Sequence, residues 1–231
     1  SVRHREEENG LALKRGKQTY LFQHPAAIRS FAAIGSKREG EGPLGEFFDT
    51  IDPDSTFGQK SWERAESRLH HDTVELAVKK AGLSYADLDC LLAGDLLNQC
   101  IGATFGVREL GIPYLGIYGA CSNMAEGLLL SAFLAESGLR YLGVSTASHF
   151  CTAERQYRFP LEYGGQRTPT SQWTVTGGGA VVVAGAAAQT LDQAGPWIQA
   201  AAIGTIEDKG IKDAANMGAA MAPAAAATIL G

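Results

Sequence analysis

The chain has 231 residues, 45% of them hydrophobic and 19% charged, which is enough to bury a substantial core as one large domain or two small ones. The net charge of -5 and the scattered histidines provide no basic surface for a duplex or an anionic membrane, so we expect no nucleic acid partner. The longest apolar runs, 180–188 and 221–230, are too short to cross a bilayer, and no transmembrane segment is predicted.

Residues 1–15 are charged and polar, without the apolar core of a secretory signal peptide. We predict a flexible N-terminal arm there and no signal peptide. The four cysteines, at positions 90, 100, 121 and 151, form no CxxC pair, which favours free thiols in a reducing compartment.

The first predicted helix covers residues 61–82, because its apolar residues recur on one face and Gly82 is suited to the position after a helix end. A buried strand follows at 88–93, ended by Gly94 and Asp95. The next helix is predicted at 97–110.

A strand at 114–118 leads through Gly119-Ala120-Cys121 into a helix at 122–137, and another strand follows at 139–148. We predict a long polar loop at 150–172, strands at 173–185 and 197–206, and a final helix starting near Pro223. Strands alternating with helices indicate an α/β fold with a mainly parallel sheet covered by helices on both faces.

Ligands of open α/β sheets bind at the carboxyl ends of the strands, and two such ends carry polar residues here. One bears Asp95 and Asn98; the other is the turn with Cys121 and Asn123. A cysteine in the first turn of a helix is favoured as a thiolate, and the amides around it suit an oxyanion. The alternative is a tight corner where only small side chains fit, and the residues leave both interpretations open.

His149 follows the strand at 139–148 and is predicted to reach the same rim, as a base, a ligand contact or a structural group. No pair of histidines and cysteines has metal-ligand spacing, since His70 and His71 are adjacent and face different directions. We therefore predict no metal and no cofactor. The triple glycine 177–179 precedes a strand and favours close backbone approach over phosphate binding.

Planar guanidinium groups and aromatic rings are concentrated in the predicted loop at 150–172. Such a set suits a flat anionic ligand, because arginine holds carboxylates in a fork and rings stack. The alternative is a solvated loop whose arginines pair with its glutamates. The residues predicted to bind here are Arg155, Arg158 and Tyr163.

Several segments in order resemble the stage V sporulation protein AD family of spore-forming bacteria, whose members have the thiolase and ketoacyl-synthase type of fold. They run from about residue 16 to the end of the chain and read GKQTYLFQHP, GPLGEFFD, QKSWERAE, LLAGDLLNQ, YGACSN, TAERQYRFPLEYGGQ, TVTGGGAVVV and MGAAMAPAAA. The resemblance implies a mixed sheet, an N-terminal half at 16–185, and the start of a second, truncated half at 186–231.

The resemblance further implies a protein that binds dipicolinic acid, free or as its calcium chelate, for uptake into the developing spore. Its Cys121 matches the acyl-carrying nucleophile of the enzymes with this fold, so an acyltransferase of the ketoacyl-synthase type is the alternative. The enzymes' catalytic histidine comes from the second half, and His149 does not match it. Cys121 is therefore a catalytic residue only if the protein is an enzyme.

Partners are also implied by the resemblance. We expect a homodimer in which the strand at 139–148 pairs with its copy across a twofold axis. Other stage V sporulation A membrane proteins are expected partners, at a location peripheral to the inner spore membrane.

Overall fold

The computed structural model describes residues 12–157, 174–189, 195–212 and 216–230, and in the helix at 150–157 it describes side chains as far as Ala153. The strands in these ranges are β1 (Ala12–Arg15), β2 (Thr19–Ser36), β3 (Thr50–Asp52), β4 (Cys90–Gly94), β5 (Tyr114–Gly116), β6 (Tyr141–Ser148), β7 (Gly177–Ala184) and β8 (Trp197–Ala202). The α-helices are α1 (Lys37–Gly40), α2 (Trp62–Ala81), α3 (Ile101–Val107), α4 (Asn123–Glu136), α5 (Phe150–Tyr157) and α6 (Met217–Leu230).

All eight strands belong to one sheet, in the order β1-β2-β7-β6-β4-β5, with β3 and β8 also paired to β2. β4 is parallel to β5 and β6, whereas β7 is antiparallel to both β6 and β2. The sheet is therefore mixed, as the resemblance implied, and the expectation of a mainly parallel sheet was wrong.

Helices cover both faces of this sheet, as predicted. Successive residues of β4 point to opposite sides: Leu91 packs in the cluster formed with α2 and α3, and Leu92 packs in the cluster formed with α4. Because side chains alternate along a strand, one apolar strand can fill both cores. The result is a three-layer α/β/α arrangement.

The predicted helix at 61–82 is confirmed as α2. The Ser61 side chain accepts a hydrogen bond from the Arg64 N–H at its start, and Gly82 ends it with a φ of 71°. The helix predicted at 97–110 is interrupted instead. α3 covers only its centre, between 3-10 turns at Asn98–Cys100 and Arg108–Leu110, because Gln99 and Cys100 have left-handed backbones.

Strands β4 to β8 lie where strands were predicted, with bounds that differ by at most four residues. β2 was not predicted; it is an 18-residue strand whose alternation is broken by a bulge between Ile28 and Ser30. β1, which pairs with β2, is formed by residues 12–15 of the predicted arm. Residues 1–11 lie outside the described part of the chain.

Two further expectations were wrong. Residues 150–157 of the predicted loop form α5, and at its start the backbone N–H groups of His149 and Phe150 donate hydrogen bonds to side chains distant in sequence. The last helix starts at Met217 and contains Pro223 in its interior. The signal for its start is Asn216, whose side chain accepts a hydrogen bond from the Ala219 N–H at 3.3 Å.

The predicted second part, 186–231, contributes β8 to the same sheet, where it pairs antiparallel with β2. The division of the chain at residue 185 stays a prediction. None of the helices among the described residues is long and apolar enough to span a membrane.

Candidate functional site

A cleft of about 360 Å³ lies at the edge of the sheet where β4 and β6 end and β7 begins. Because β4 and β6 are parallel and β7 is antiparallel to β6, Gly94, Thr146 and Gly179 meet at this edge. The other residues around the cleft are Phe48, Asp95, Leu96, Ala120, Cys121, Asn123, Met124, Ala147, Ser148, Thr174, Val175, Gly177 and Gly178. The two strand ends singled out in the sequence therefore do lie side by side.

Cys121 is an exposed free thiol at the mouth of this cleft. It lies in a 3-10 turn, Ala120–Ser122, that leads directly into α4. Ala120 has a φ of 50°, a left-handed conformation that costs a non-glycine residue about 1 kcal/mol. The side chain of the N-cap residue Ser122 makes no capping hydrogen bond. It therefore leaves the first backbone N–H groups of α4 uncapped, beside the Cys121 thiol.

Asn123 holds this turn in place. It is only 2% exposed, its Nδ2 donates to the Asp95 carbonyl oxygen at 3.0 Å, and its Oδ1 accepts from the Gly119 N–H at 2.6 Å. One amide side chain therefore joins the end of β4 to the turn before Cys121. Asn123 borders the cleft, as predicted, but these polar atoms are engaged with the backbone.

Asp95 also borders the cleft, and it too is engaged inward. Its carboxylate accepts from the Leu97 N–H at 2.7 Å and from the Ala103 N–H at 2.6 Å, so it shapes the segment between β4 and α3. Burial raises the pKa of this carboxyl, an effect opposed by hydrogen bonds from Ala103, Leu97 and Gly102.

His149 is not brought to the cleft. It is fully buried, its ring stacks on Trp62 with centroids 5.0 Å apart, and Nε2 lies 2.8 Å from the Ser55 carbonyl oxygen. Its Nδ1 accepts from the Cys151 N–H at 3.1 Å, which assigns the proton to Nε2. Burial lowers the pKa of this imidazole. With both nitrogens engaged, His149 is not positioned as a base for Cys121.

The other residues predicted to bind a ligand lie outside the cleft lining or outside the described part of the structure. Asn98 is exposed and accepts a hydrogen bond from the Tyr118 hydroxyl at 3.0 Å, outside the cleft lining. Arg155 lies on α5, and its side chain lies outside the described part of the structure. Arg158 and Tyr163 lie outside the described residues altogether, so their role in ligand binding stays a prediction.

The sequence analysis missed a buried polar cluster behind the cleft. Glu66 and His70 are both fully buried on α2, one helical turn apart, and each has one side-chain atom without a hydrogen-bond partner, Glu66 Oε1 and His70 Nε2. Their burial could have been predicted from the helical period, because both residues fall on the helix face that carries Leu69 and Thr73. Burial lowers the pKa of His70 to about 3, so this imidazole is neutral.

Two other surface features lie away from Cys121. A larger concavity of about 670 Å³ lies between α2 and α3, but it is an outer groove of mixed charge. On α2, potential metal ligands of His71, Asp72 and Glu75 lie within 4.8 Å of one another. Arg68 already pairs with Asp72 at 2.7 Å, so this cluster is an ion-pair group on a solvated helix face.

Comparison with known proteins gives the family. The family model described as stage V sporulation protein AD matches residues 16–231. Stage V sporulation protein AD of Bacillus subtilis (strain 168) is 45% identical over 215 residues, covering 93% of this chain and 62% of that protein. The chain thus spans less than two thirds of the length of this relative.

Among solved structures, OleA of Xanthomonas campestris with cerulenin has a TM-score of 0.50 at 14% identity, covering 72% of this chain and 59% of that one. The 3-oxoacyl-(acyl carrier protein) synthase III of Xanthomonas oryzae has a TM-score of 0.46 at 19% identity, over 71% of this chain and 57% of its own. The mixed sheet with helices on both faces is the thiolase-like fold that OleA also has. The chain belongs to the stage V sporulation protein AD family.

Proposed function

We propose that the full-length protein binds dipicolinic acid, free or as its calcium chelate, and supports its uptake into the developing spore. The observation that carries this proposal is the family membership over residues 16–231. The cleft at Cys121 is the proposed binding site. Dipicolinic acid is a flat pyridine ring with two carboxylates, so a site for it needs a flat apolar slot and donors for negative charge.

The cleft offers both features. The glycines of β7 present backbone without side chains on one side, and Phe48 and Met124 supply apolar surface on others. The N-terminus of α4 adds amide donors and the positive end of the helix dipole, both of which favour a carboxylate. In this proposal Arg155, Arg158 and Tyr163 complete the site from the segment that follows β6.

The second candidate is an acyltransferase with Cys121 as nucleophile. It is favoured by the exposure of the Cys121 thiol at the start of α4, where an acyl oxyanion would meet the same amides. Against it, none of the histidines in the described part of the chain, His24, His70, His71 and His149, lines the cleft. A base for Cys121 would have to come from elsewhere in the full-length protein.

One pair of measurements on the full-length protein separates the two candidates. With dipicolinate, with and without calcium, calorimetry is expected to show saturable binding, weakened about tenfold by Cys121→Ala through lost packing at the cleft mouth. With acyl-CoA, intact mass spectrometry is expected to show no thioester. Absence of any dipicolinate heat would refute the binding proposal, and a Cys121-dependent adduct would establish the acyltransferase instead.

The predicted homodimer cannot form in the way the sequence analysis expected. β6 lies between β4 and β7 in the same chain, so its backbone has no free edge to pair with a copy. Among the described strands, β5 ends the order of the sheet beyond β4 and exposes Leu115 by 49%. We propose that two copies pair along β5, since an exposed apolar edge strand is prone to extend a sheet.

A charge on this edge tests the dimer. Leu115→Glu is expected to convert a dimer to a monomer in light scattering coupled to gel filtration, because it places like charges across the shared edge. The matched control is Leu44→Glu, at an exposed leucine outside β5, which is expected to leave the dimer intact. A Leu115→Glu protein that remains dimeric would place the interface elsewhere.

Location and membrane partners follow from the same proposal. A protein that supports uptake of dipicolinic acid has to work beside the membrane that this acid crosses. We therefore propose a position peripheral to the inner spore membrane, in contact with other stage V sporulation A membrane proteins.

A further inference from the structure

We propose that Glu66 is a positioning residue of the cleft: it carries a proton, and in this neutral form it joins the start of α5 to the segment that supports Cys121. The inference rests on the proposed function in taking the cleft as the ligand site. The contacts that support it, however, involve the Cys121 turn and do not depend on which ligand binds there.

One oxygen of Glu66 fixes the start of α5. Oε2 accepts hydrogen bonds from the Thr152 hydroxyl and from the His149 N–H, the latter at 3.2 Å. These contacts anchor the first turn of α5, the helix that carries Arg155, to α2. Loss of the side chain would leave a buried N–H and a buried hydroxyl without this acceptor.

The other oxygen, Oε1, lies on the side of Asp95 and has no hydrogen-bond partner. A Cβ built on Gly102 would lie 3.1 Å from Asp95 Oδ2 and 3.2 Å from Glu66 Oε1, so both carboxyl groups border this residue without a side chain. The described contacts of these carboxyls include no arginine or lysine. Two buried carboxylates without a cation cannot both be ionised at low cost.

The distribution of donors decides which carboxyl keeps the proton. Asp95 receives backbone N–H groups from Leu97, Gly102 and Ala103, which favour its ionised form. Glu66 is fully buried with Oε1 unpartnered, and burial, with a contribution from Asp95, raises its pKa from the ordinary 4.5 to about 8. A proton on Oε1 therefore gives the group a donor on the side that faces Asp95.

Asp95, beside this proton, is connected to the cleft by hydrogen bonds. Asp95 shapes the segment after β4, its carbonyl oxygen accepts from Asn123, and Asn123 accepts from Gly119 in the turn before Cys121. A second negative charge at Glu66 would repel Asp95, the first member of this chain. We therefore expect deprotonation of Glu66 to loosen the Cys121 turn.

The histidines, the cysteine and the tyrosine around Glu66 and Asp95 do not change charge between pH 6.5 and 8. Burial lowers the pKa of His70 and of His149, which stay neutral, and burial raises the pKa of Cys100 and of Tyr114, the groups that face Asp95. On the far side of His149, Glu39 accepts a hydrogen bond from the Thr176 N–H. Glu66 is thus the group expected to titrate as pH rises through about 8.

The raised pKa of Glu66 makes the stability of the native state depend on pH. Between pH 4.5 and about 8 the unfolded chain has lost the Glu66 proton while the native state still holds it, so stability falls as pH rises through this window and levels off above it. Glu66→Gln retains the hydrogen-bonding shape without this titration. Its melting temperature should therefore exceed that of the wild type by a margin that grows with pH.

The rate at which iodoacetamide alkylates Cys121 tests whether Glu66 positions the Cys121 turn. This rate is measured by peptide mass spectrometry on the full-length protein. Variants are compared with one another at the same pH, so that differences in rate between them report on the Cys121 turn. At pH 6.5, wild type and Glu66→Gln are expected to react at equal rates, and Glu66→Ala faster. At pH 9.5, wild type is expected to react faster than Glu66→Gln by up to about tenfold.

The matched control is Glu136→Gln. Glu136 is a buried glutamate on α4 that accepts hydrogen bonds from the Gln23 and His24 amides, and the alkylation rate of this variant should follow that of the wild type.

The inference is overturned if wild type and Glu66→Gln react equally at every pH, or if Glu66→Gln is as reactive as Glu66→Ala at pH 6.5. Dipicolinate affinity provides the second readout: it should fall at alkaline pH in the wild type more than in Glu66→Gln. If dipicolinate does not bind at any pH while the alkylation rates diverge, the proposed function fails and the positioning role of Glu66 stands.

Discussion

Asn123→Ala is expected to lower the free energy of unfolding by about 2–4 kcal/mol and to abolish measurable dipicolinate binding. The substitution removes the partners of two backbone groups at once, the Asp95 carbonyl oxygen and the Gly119 N–H. The site is 2% exposed, so water cannot readily replace either hydrogen bond. Urea unfolding and calorimetry on the full-length protein measure the two effects.

Two further variants make this prediction specific. Asn123→Asp keeps an acceptor for Gly119 but places a charge against the Asp95 carbonyl oxygen, so it should be at least as destabilising as alanine. Asn98→Ala is the matched control, because Asn98 is exposed outside the cleft, and it should change stability by less than about 0.5 kcal/mol. An Asn123→Ala protein with wild-type stability and affinity would show that the turn is held by other contacts.

Gly179→Leu is expected to block the cleft while leaving the fold intact, and so to weaken dipicolinate binding by more than about tenfold, or 1.4 kcal/mol. A Cβ at Gly179 would meet only Met124 Cε at 3.7 Å and the Ala32 carbonyl oxygen at 3.9 Å, both ordinary contact distances. A larger side chain would extend beside Met124, which also lines the cleft. Calorimetry and thermal unfolding separate lost binding from lost folding.

The neighbouring glycine provides the contrast. A Cβ at Gly178 would lie 2.6 Å from Thr73 Oγ1 and 3.3 Å from the Leu69 carbonyl oxygen, on the opposite face of the sheet against α2. Gly178→Ala should therefore destabilise the protein through overpacking by about 1–3 kcal/mol. If Gly179→Leu folds normally and still binds dipicolinate with wild-type affinity, the ligand does not occupy this cleft.

The relation between sequence and structure differs from one element to the next. α2 was predicted closely because its apolar period, its Ser61 cap and its Gly82 end are all local signals. β2 was missed because its pairing to four other strands and its bulge override the simple alternation that identifies a strand. α5 was taken for a loop because its polar sequence does not begin with one of the common capping residues; His149 Nδ1 accepts from the Cys151 N–H, and the distant Glu66 and Thr176 supply further acceptors.

The candidate site was likewise predictable only in part from the sequence. The placement of Asp95 and Cys121 at neighbouring strand ends followed from the rule for α/β sheets, and both residues border the cleft in the structure. The sequence could not show that the Asn123 amide is bound to the backbone of Asp95, or that His149 Nε2 lies against the carbonyl oxygen of Ser55. Those contacts span 28 residues between Asn123 and Asp95 and 94 residues between His149 and Ser55.

By itself, the sequence determined the α/β class, the turn that presents Cys121 at the start of a helix, and the resemblance to the stage V sporulation protein AD family. These features depend on periodicity, capping residues and short motifs, which act over one or two turns of chain. The tertiary structure alone decided which polar side chains face the cleft, which strand edge is free, and that Glu66 is buried beside Asp95. The physical reason is that burial and hydrogen-bond partners are set by elements distant in the sequence; the side chain of Glu66, for example, accepts from Thr152, which lies 86 residues further along the chain.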